Sequence, residues 1–192
     1  QEMQSVEEKL TLVSTDCGVG IKQNSKGNRE IWIGAKLHIS AVDGDIPITA
    51  FYSGANVHDS SIALPLIQET SKRVNYLYDL QDAGYDADII REFSNKLGHR
   101  PIIDTNPKNS KELKAKIELM EHEGKTFKDI NQHLNCDEEH YNQRSMVERV
   151  NKYLKDDFGC DKIYYQGATK VASVLAFGIL SICIHQSLQL VT

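Results

Sequence analysis

Cysteine in a working pattern is the first thing this 192-residue chain lacks. Cys17, Cys136, Cys160 and Cys183 are its only cysteines and show no paired spacing. That excludes a zinc module or a disulfide scaffold and makes a reduced, cytoplasmic setting the simpler expectation. No signal peptide is visible. The longest apolar run, Val171 to Ile184, has 14 residues, short of the roughly 20 a bilayer requires. A buried helix and no membrane partner are therefore expected. Positive charge is also short. A net charge of −5 weighs against indiscriminate attraction to nucleic acid, although the distribution of charge matters more than its sum. There is no helix-turn-helix or zinc module to read base edges, no internal repeat and no low-complexity tract.

What remains is an ordinary globular composition. Apolar residues make up 40% of the chain, enough for a sizeable core in one domain over residues 1–192. Residues 106–139 are dense in Lys, Glu, Asn and His and read as an insertion within it, with a helix near Glu112–Glu123. The chain opens at Gln1 and enters a strand-like run almost at once. It is expected to be a fragment of a longer protein.

The pattern of apolar residues gives an element order. Leu10–Thr15 suits a buried strand ending at Asp16, and Gly18, Gly20, Asn24 and Gly27 mark a polar connection. Ile31–Val42 alternates as a long strand, Asp43-Gly44-Asp45 is a hairpin turn, and Ile46–Tyr52 returns. These three strands should be antiparallel. A helix follows from about Ser60 to Lys72, with Asp59 or Ser60 as its N-cap. Val74–Leu80 is a fourth strand, residues 87–97 a helix closed by Gly98, and Arg100–Asp104 a fifth strand, an order that implies a parallel crossover. Helices over 141–156 and 167–189 end the chain. The fold class is α/β, a mixed sheet flanked by helices.

Tyr141, Arg144, Glu148 and Lys155 carry the strongest pattern, Tyr-x2-Arg-x3-Glu-x6-Lys. At about 100° per residue they occupy a stripe roughly 60° wide. Met146, Val147, Val150, Tyr153 and Leu154 fall on the opposite side. Taken alone, Arg144 with Glu148 is an i,i+4 pair on a solvated face. Two aspartates upstream give the stripe another meaning. Asp16 ends the first strand and Asp82 lies just past the fourth. If those strands are neighbours, the two carboxylates come side by side, and a divalent cation relieves their repulsion. Oxygen ligands suit Mg²⁺, and a pair of ions suits in-line displacement at phosphorus. Lys22, Lys26, Arg29 and Lys36 form a local basic patch, so Lys36 joins the candidate phosphate contacts.

These residues resemble the DDE transposases of bacterial insertion sequences, which have an RNase H-like catalytic core. Asp16 in Ser-Thr-Asp-Cys-Gly is similar to the first catalytic Asp. Lys36-Leu37-His38 with Ala41-Val42-Asp43 is similar to the family's second strand and turn, and Ala55-Asn56-Val57-His58-Asp59-Ser60 matches a segment found in many members. Asp82-Ala83-Gly84-Tyr85-Asp86 is similar to the second catalytic Asp with its trailing Gly-Tyr. Tyr141, Arg144, Glu148 and Lys155 match the signature of one large branch in every spacing. Cys17 and Gly18 depart from the Gly and Thr or Ser common after the first Asp.

The resemblance implies an RNase H-like mixed five-stranded sheet with a short helical insertion before the third carboxylate. It implies that Asp16, Asp82 and Glu148 ligate two Mg²⁺ ions, with Mn²⁺ as a substitute. Tyr141, Arg144 and Lys155 would contact DNA. The partners expected are double-stranded DNA, at transposon ends and target, and a second subunit in the active dimer. The alternatives are an RNase H-like nuclease or resolvase, or an inactive transposase-derived DNA-binding protein. Among neighbouring residues, Asp79 should point away from Asp82, Asp86 should cap the second helix, and Trp32 should serve strand packing.

Overall fold

The structure is a computed structural model and describes residues 6–23, 28–104, 111–124 and 143–191. The chain divides into two compact units, one of residues 1–75 with 145–192 and one of residues 76–144.

The first unit opens with helix α1 (Val6–Thr11), where a strand was expected to begin at Leu10. The reason is the i,i+3 pair Val6 and Lys9, both buried. Lys9 lays its stem on the neighbouring helix and donates its ammonium to Gln68 Oε1 at 3.0 Å, an arrangement that needs a helical rise. The first strand lies further on, at β1 (Gly18–Gln23), in the stretch expected to be a flexible connection. It pairs antiparallel with β2 (Arg29–Val42), Gly20 opposite Trp32. A Cβ on Gly20 would collide with the Trp32 ring. That glycine therefore seats an aromatic residue across the strand and is no sign of a loop.

Strand β3 (Ile46–Gly54) completes an antiparallel sheet of order β1-β2-β3. The hairpin between β2 and β3 turns through Gly44 and Asp45 at φ of 83° and 58°, a left-handed pair that glycine and aspartate tolerate. The register shifts between Ser40 and Ala41, where Pro47 pairs with Ala41. Proline has no N–H for the ladder, so a bulge accommodates it. The carbonyl of the bulged Ile48 is taken by Arg73 at 2.9 Å.

Helix α2 (Ser60–Arg73) packs on β2 and β3 through Ile62, Ala63, Leu66 and Ile67. Two long-range helices return to the sheet, designated here α5 (Ser145–Asp156) and α6 (Ala168–Val191). Ile39 of β2 meets Val150 and Leu154 of α5 and Ile182 of α6 in one core cluster. Gly178 permits the close approach of the two helices, since a Cβ there would stand 2.7 Å from Cys160 Sγ and 3.0 Å from Leu154 Cδ2. Helix α6 was expected to be buried. It buries one stripe (Leu175, Gly178, Ile182, Gln186) and exposes Phe177, Leu180, Ile184 and Leu188. At 24 residues it is also long and apolar enough, by length and composition, to cross a membrane.

The second unit holds β4 (Tyr78–Gln81), α3 (Asp88–Lys96), β5 (Arg100–Ile103) and α4 (Lys111–His122). β4 and β5 are parallel, joined by the expected crossover through α3. Gly98 ends α3 at φ 82°. The strands thus form a mixed α/β protein with a three-stranded and a two-stranded sheet. The single five-stranded sheet of the expectation is not assembled among the described residues.

Candidate active site

The first candidate carboxylate sits in a turn that other segments hold. Asp16 lies in the irregular stretch between α1 and β1, exposed, two residues before the strand rather than at the end of one. Its own N–H reaches Ser14 Oγ at 3.3 Å. The rest of the support comes from the far end of β3. Gly54 N–H donates to Ser14 O at 2.8 Å, and Ala55 N–H to Gly34 O at 3.1 Å. Gly54 has no room for a side chain. A Cβ would collide with Asp16 O and lie 2.8 Å from Asn56 Oδ1. Gly18 is equally confined, because a Cβ there would collide with Asn56 Oδ1 and stand 2.7 Å from its Cγ. Burial first, then the charges of Cys17 and Asp16, push the Tyr52 phenol up from its ordinary value.

The loop that carries Asn56 is itself tied down. Lys36 Nζ donates to Val57 O at 2.9 Å and to Asp59 Oδ1 at 3.0 Å. An ammonium has three hydrogens, so two are engaged within the fold. Asp59 was expected to cap α2. It does stand at the N-cap position, but in the helical region and with no side-chain cap bond; its carboxylate goes to Lys36. His58 Nδ1 takes the Ser60 N–H instead, at 3.3 Å. Behind the loop, His38 is buried with Nε2 2.8 Å from Ser53 Oγ, and that hydroxyl donates to Gly54 O at 3.2 Å. Burial, the largest influence, lowers the His38 pKa. Asp59 opposes the shift and Lys36 adds to it.

Asp82 is exposed at the end of β4, where it caps the 3₁₀ turn Ala83–Tyr85 by accepting from Gly84 N–H at 2.9 Å. Asp86 was expected to cap α3. It pairs with Arg91 Nη2 at 2.7 Å, and the same guanidinium donates to Ile103 O at 3.0 Å. Ala87 is the N-cap residue, without a side-chain cap bond. Asp79 is buried and separated in role from Asp82. Its Oδ2 accepts from Ser94 Oγ and lies 3.1 Å from His99 Nδ1. The Tyr76 ring packs against His99, tilted by 44° with ring centroids 4.0 Å apart. Burial, then the charge of Asp79 and a hydrogen bond to it, raise the Tyr76 phenol far above its usual range.

Glu148 is exposed on α5, with Val150 and Leu154 buried on the other side of the helix. Its neighbour Arg149 is clasped by Asp45 in the β2–β3 turn, Nη2 to Oδ1 at 2.6 Å and Nε to Oδ2 at 2.8 Å. Lys155 is exposed seven positions after Glu148. Two turns of helix put it nearly in line with Glu148, about 10 Å along the axis. The helix was expected to begin at Tyr141. It begins at Ser145, so Arg144 precedes it in a turn. Tyr141 lies outside the described residues.

Exposed carboxylates are the right donors for a hard divalent cation, and the chemistry of Asp16, Asp82 and Glu148 fits Mg²⁺ or Mn²⁺. Among the described residues no three His, Cys, Asp or Glu side chains form a ready-made cluster. Asp16 and Glu148 belong to one unit and Asp82 to the other. Sequence reasoning missed Asn56 as the residue packed between Gly18 and Gly54; its signal was that pair of glycines at otherwise unexplained positions. Compared with known proteins, residues 11–184 match the family described as Transposase DDE domain. No curated protein and no solved structure was found to be similar.

Proposed function

The chain belongs to the DDE transposase family, and on that premise we propose that it is the catalytic core of a DNA transposase. In this reading it hydrolyses phosphodiester bonds at transposon ends and joins the freed 3′-hydroxyl to target DNA, in the cytoplasm on nucleoid DNA and as a dimer. The observation that carries it is the family match along nearly the whole chain, together with an exposed carboxylate at each of the three motif positions.

Asp16, Asp82 and Glu148 would hold the divalent ions, in the manner of an RNase H-like core with a five-stranded sheet. Bound ions of this kind activate an attacking oxygen and stabilise a leaving one. The chain's own residues bind and orient. Arg144 suits a forked contact with a phosphate, and Lys155, in line with Glu148, a point contact with the backbone. Tyr141 belongs with them by its place in the motif. Lys36, two of whose three ammonium hydrogens hold the loop of Val57 and Asp59, has one left for a DNA phosphate.

The test is Glu148→Gln. The side chain is exposed, so the variant should fold as the parent does. An amide is a poor replacement for a metal-binding carboxylate, and Mg²⁺-dependent nicking of transposon-end DNA should fall at least about 10³-fold, the scale of losing about 4 kcal/mol of transition-state stabilisation. Equal cleavage by variant and parent would overturn the reading.

A further inference from the structure

We propose that Asn56 is a positioning residue for Asp16, held in place by Lys36 and Asp59, so that the loop of residues 54–59 sets where the first carboxylate stands. The proposal rests on the reading of Asp16 as a metal-binding carboxylate.

A carboxylate in an irregular, exposed turn has no ladder of its own to fix it. Around Asp16 the fixing groups come from elsewhere in the chain. Gly54 binds the carbonyl of Ser14. The Asn56 carboxamide fills the space that side chains at Gly18 and Gly54 would need. It therefore lies against Gly18, where the strand after Asp16 begins, and against Gly54, the strand end beside the Asp16 carbonyl. Asn56 is placed in turn by Val57 N–H to Gly54 O at 3.1 Å on one side and by the Lys36 ammonium on the other. That ammonium bridges the Val57 carbonyl and the Asp59 carboxylate, so removing the Asp59 charge loosens the loop that bears Asn56. Outer-shell partners of this type orient a metal ligand without touching the metal, and their loss typically costs about 10- to 100-fold in metal affinity.

Three measurements on the full chain test the idea, using Mn²⁺ alone as the probe and electron paramagnetic resonance to count free ion. Asn56→Ala should weaken Mn²⁺ binding about ten-fold and speed amide exchange at residues 16–18, with the unfolding midpoint nearly unchanged because Asn56 is exposed. Gly18→Ala should weaken binding more than Asn56→Ala does, since its new methyl meets the Asn56 carboxamide and also stands 3.1 Å from the Asn56 backbone nitrogen. Adding Asn56→Ala to Gly18→Ala should recover affinity toward that of Asn56→Ala alone, because the carboxamide is gone and only the backbone contact remains, a recovery that general destabilisation does not produce. If Asn56→Ala fails to fold, Asp59→Asn applies the same test, with about a three-fold loss expected. The positioning role fails if Asp16→Asn abolishes Mn²⁺ binding while Asn56→Ala, or Asp59→Asn in its place, leaves it unchanged. Retained binding in Asp16→Asn would instead sink the assignment of Asp16 itself.

Discussion

The two aspartate turns are built on opposite plans. The Asp82 turn is made from its own neighbours, a carboxylate that caps Gly84 two residues on and a brace from Asp86 to Arg91 five residues on. The Asp16 turn has one local bond, from its own N–H to Ser14 Oγ, and borrows the rest from Gly54 and Asn56 some forty residues away in sequence and from the Lys36 that holds their loop. A self-contained turn survives small changes in its surroundings, because its bonds close over a few residues. A borrowed turn inherits every disturbance of the segments that hold it.

The largest test of this contrast lies beneath the self-contained turn. Asp79 takes the Ser94 hydroxyl, His99 and Tyr76 into the interior of the second unit. Asp79→Ala strands those groups without a partner and should cost about 3 kcal/mol in chemical denaturation. A loss below about 1 kcal/mol would mean the cluster is not a fastening. A matched pair of substitutions comes next. Gly54→Ala drives a methyl into the backbone carbonyl of Asp16 and should cost about 2 kcal/mol. Gly84→Ala places its methyl 3.0 Å from Asp82 Oδ1, the end of a side chain that can swing aside, and should cost about 0.5 kcal/mol or less. Equal costs in urea melts would erase the distinction between the two turns.

The smallest effect is a slope with pH. Burial lowers the His38 pKa from its ordinary 6.5. As pH falls through that ordinary value, the unfolded chain takes up a proton that the native ring declines, so stability drops. The drop ends once pH passes the lowered native value. The His38 contribution is thus fully present above 6.5 and lost below it. His38→Gln keeps a donor toward Ser53 and removes the titration, and it should flatten this part of the stability profile between neutral and mildly acidic pH. An identical slope in parent and variant would remove His38 from the account.

The same contrast explains what could be read without a structure. The Asp82 turn and the β2–β3 hairpin are short-range patterns and stand where the residues implied; the parallel pair β4 and β5 also forms, but β4 begins at Tyr78 rather than at the expected Val74. β1 and α1 were misread because their evidence is remote. Gly20 is a glycine on account of Trp32 on the facing strand, and Lys9 is helical on account of Gln68. Asp59 carries the composition of a cap but is drawn off by a lysine 23 positions earlier. The three motif carboxylates were legible individually. The groups that hold Asp16 were not, since a glycine required by packing and a glycine marking a loop are written with the same letter.

Position 45 shows how narrow such a requirement can become. Its left-handed backbone leaves glycine, asparagine and aspartate as comfortable choices. Its bidentate bond to Arg149 needs a full negative charge, which only the last of the three supplies. Two independent filters therefore reduce the alphabet at the hairpin tip to a single residue. Glutamate would satisfy the arginine and spoil the turn, while asparagine would keep the turn and release the arginine. Because Arg149 adjoins Glu148, that tip, with no chemistry of its own, anchors the first turn of the helix from which Glu148 projects.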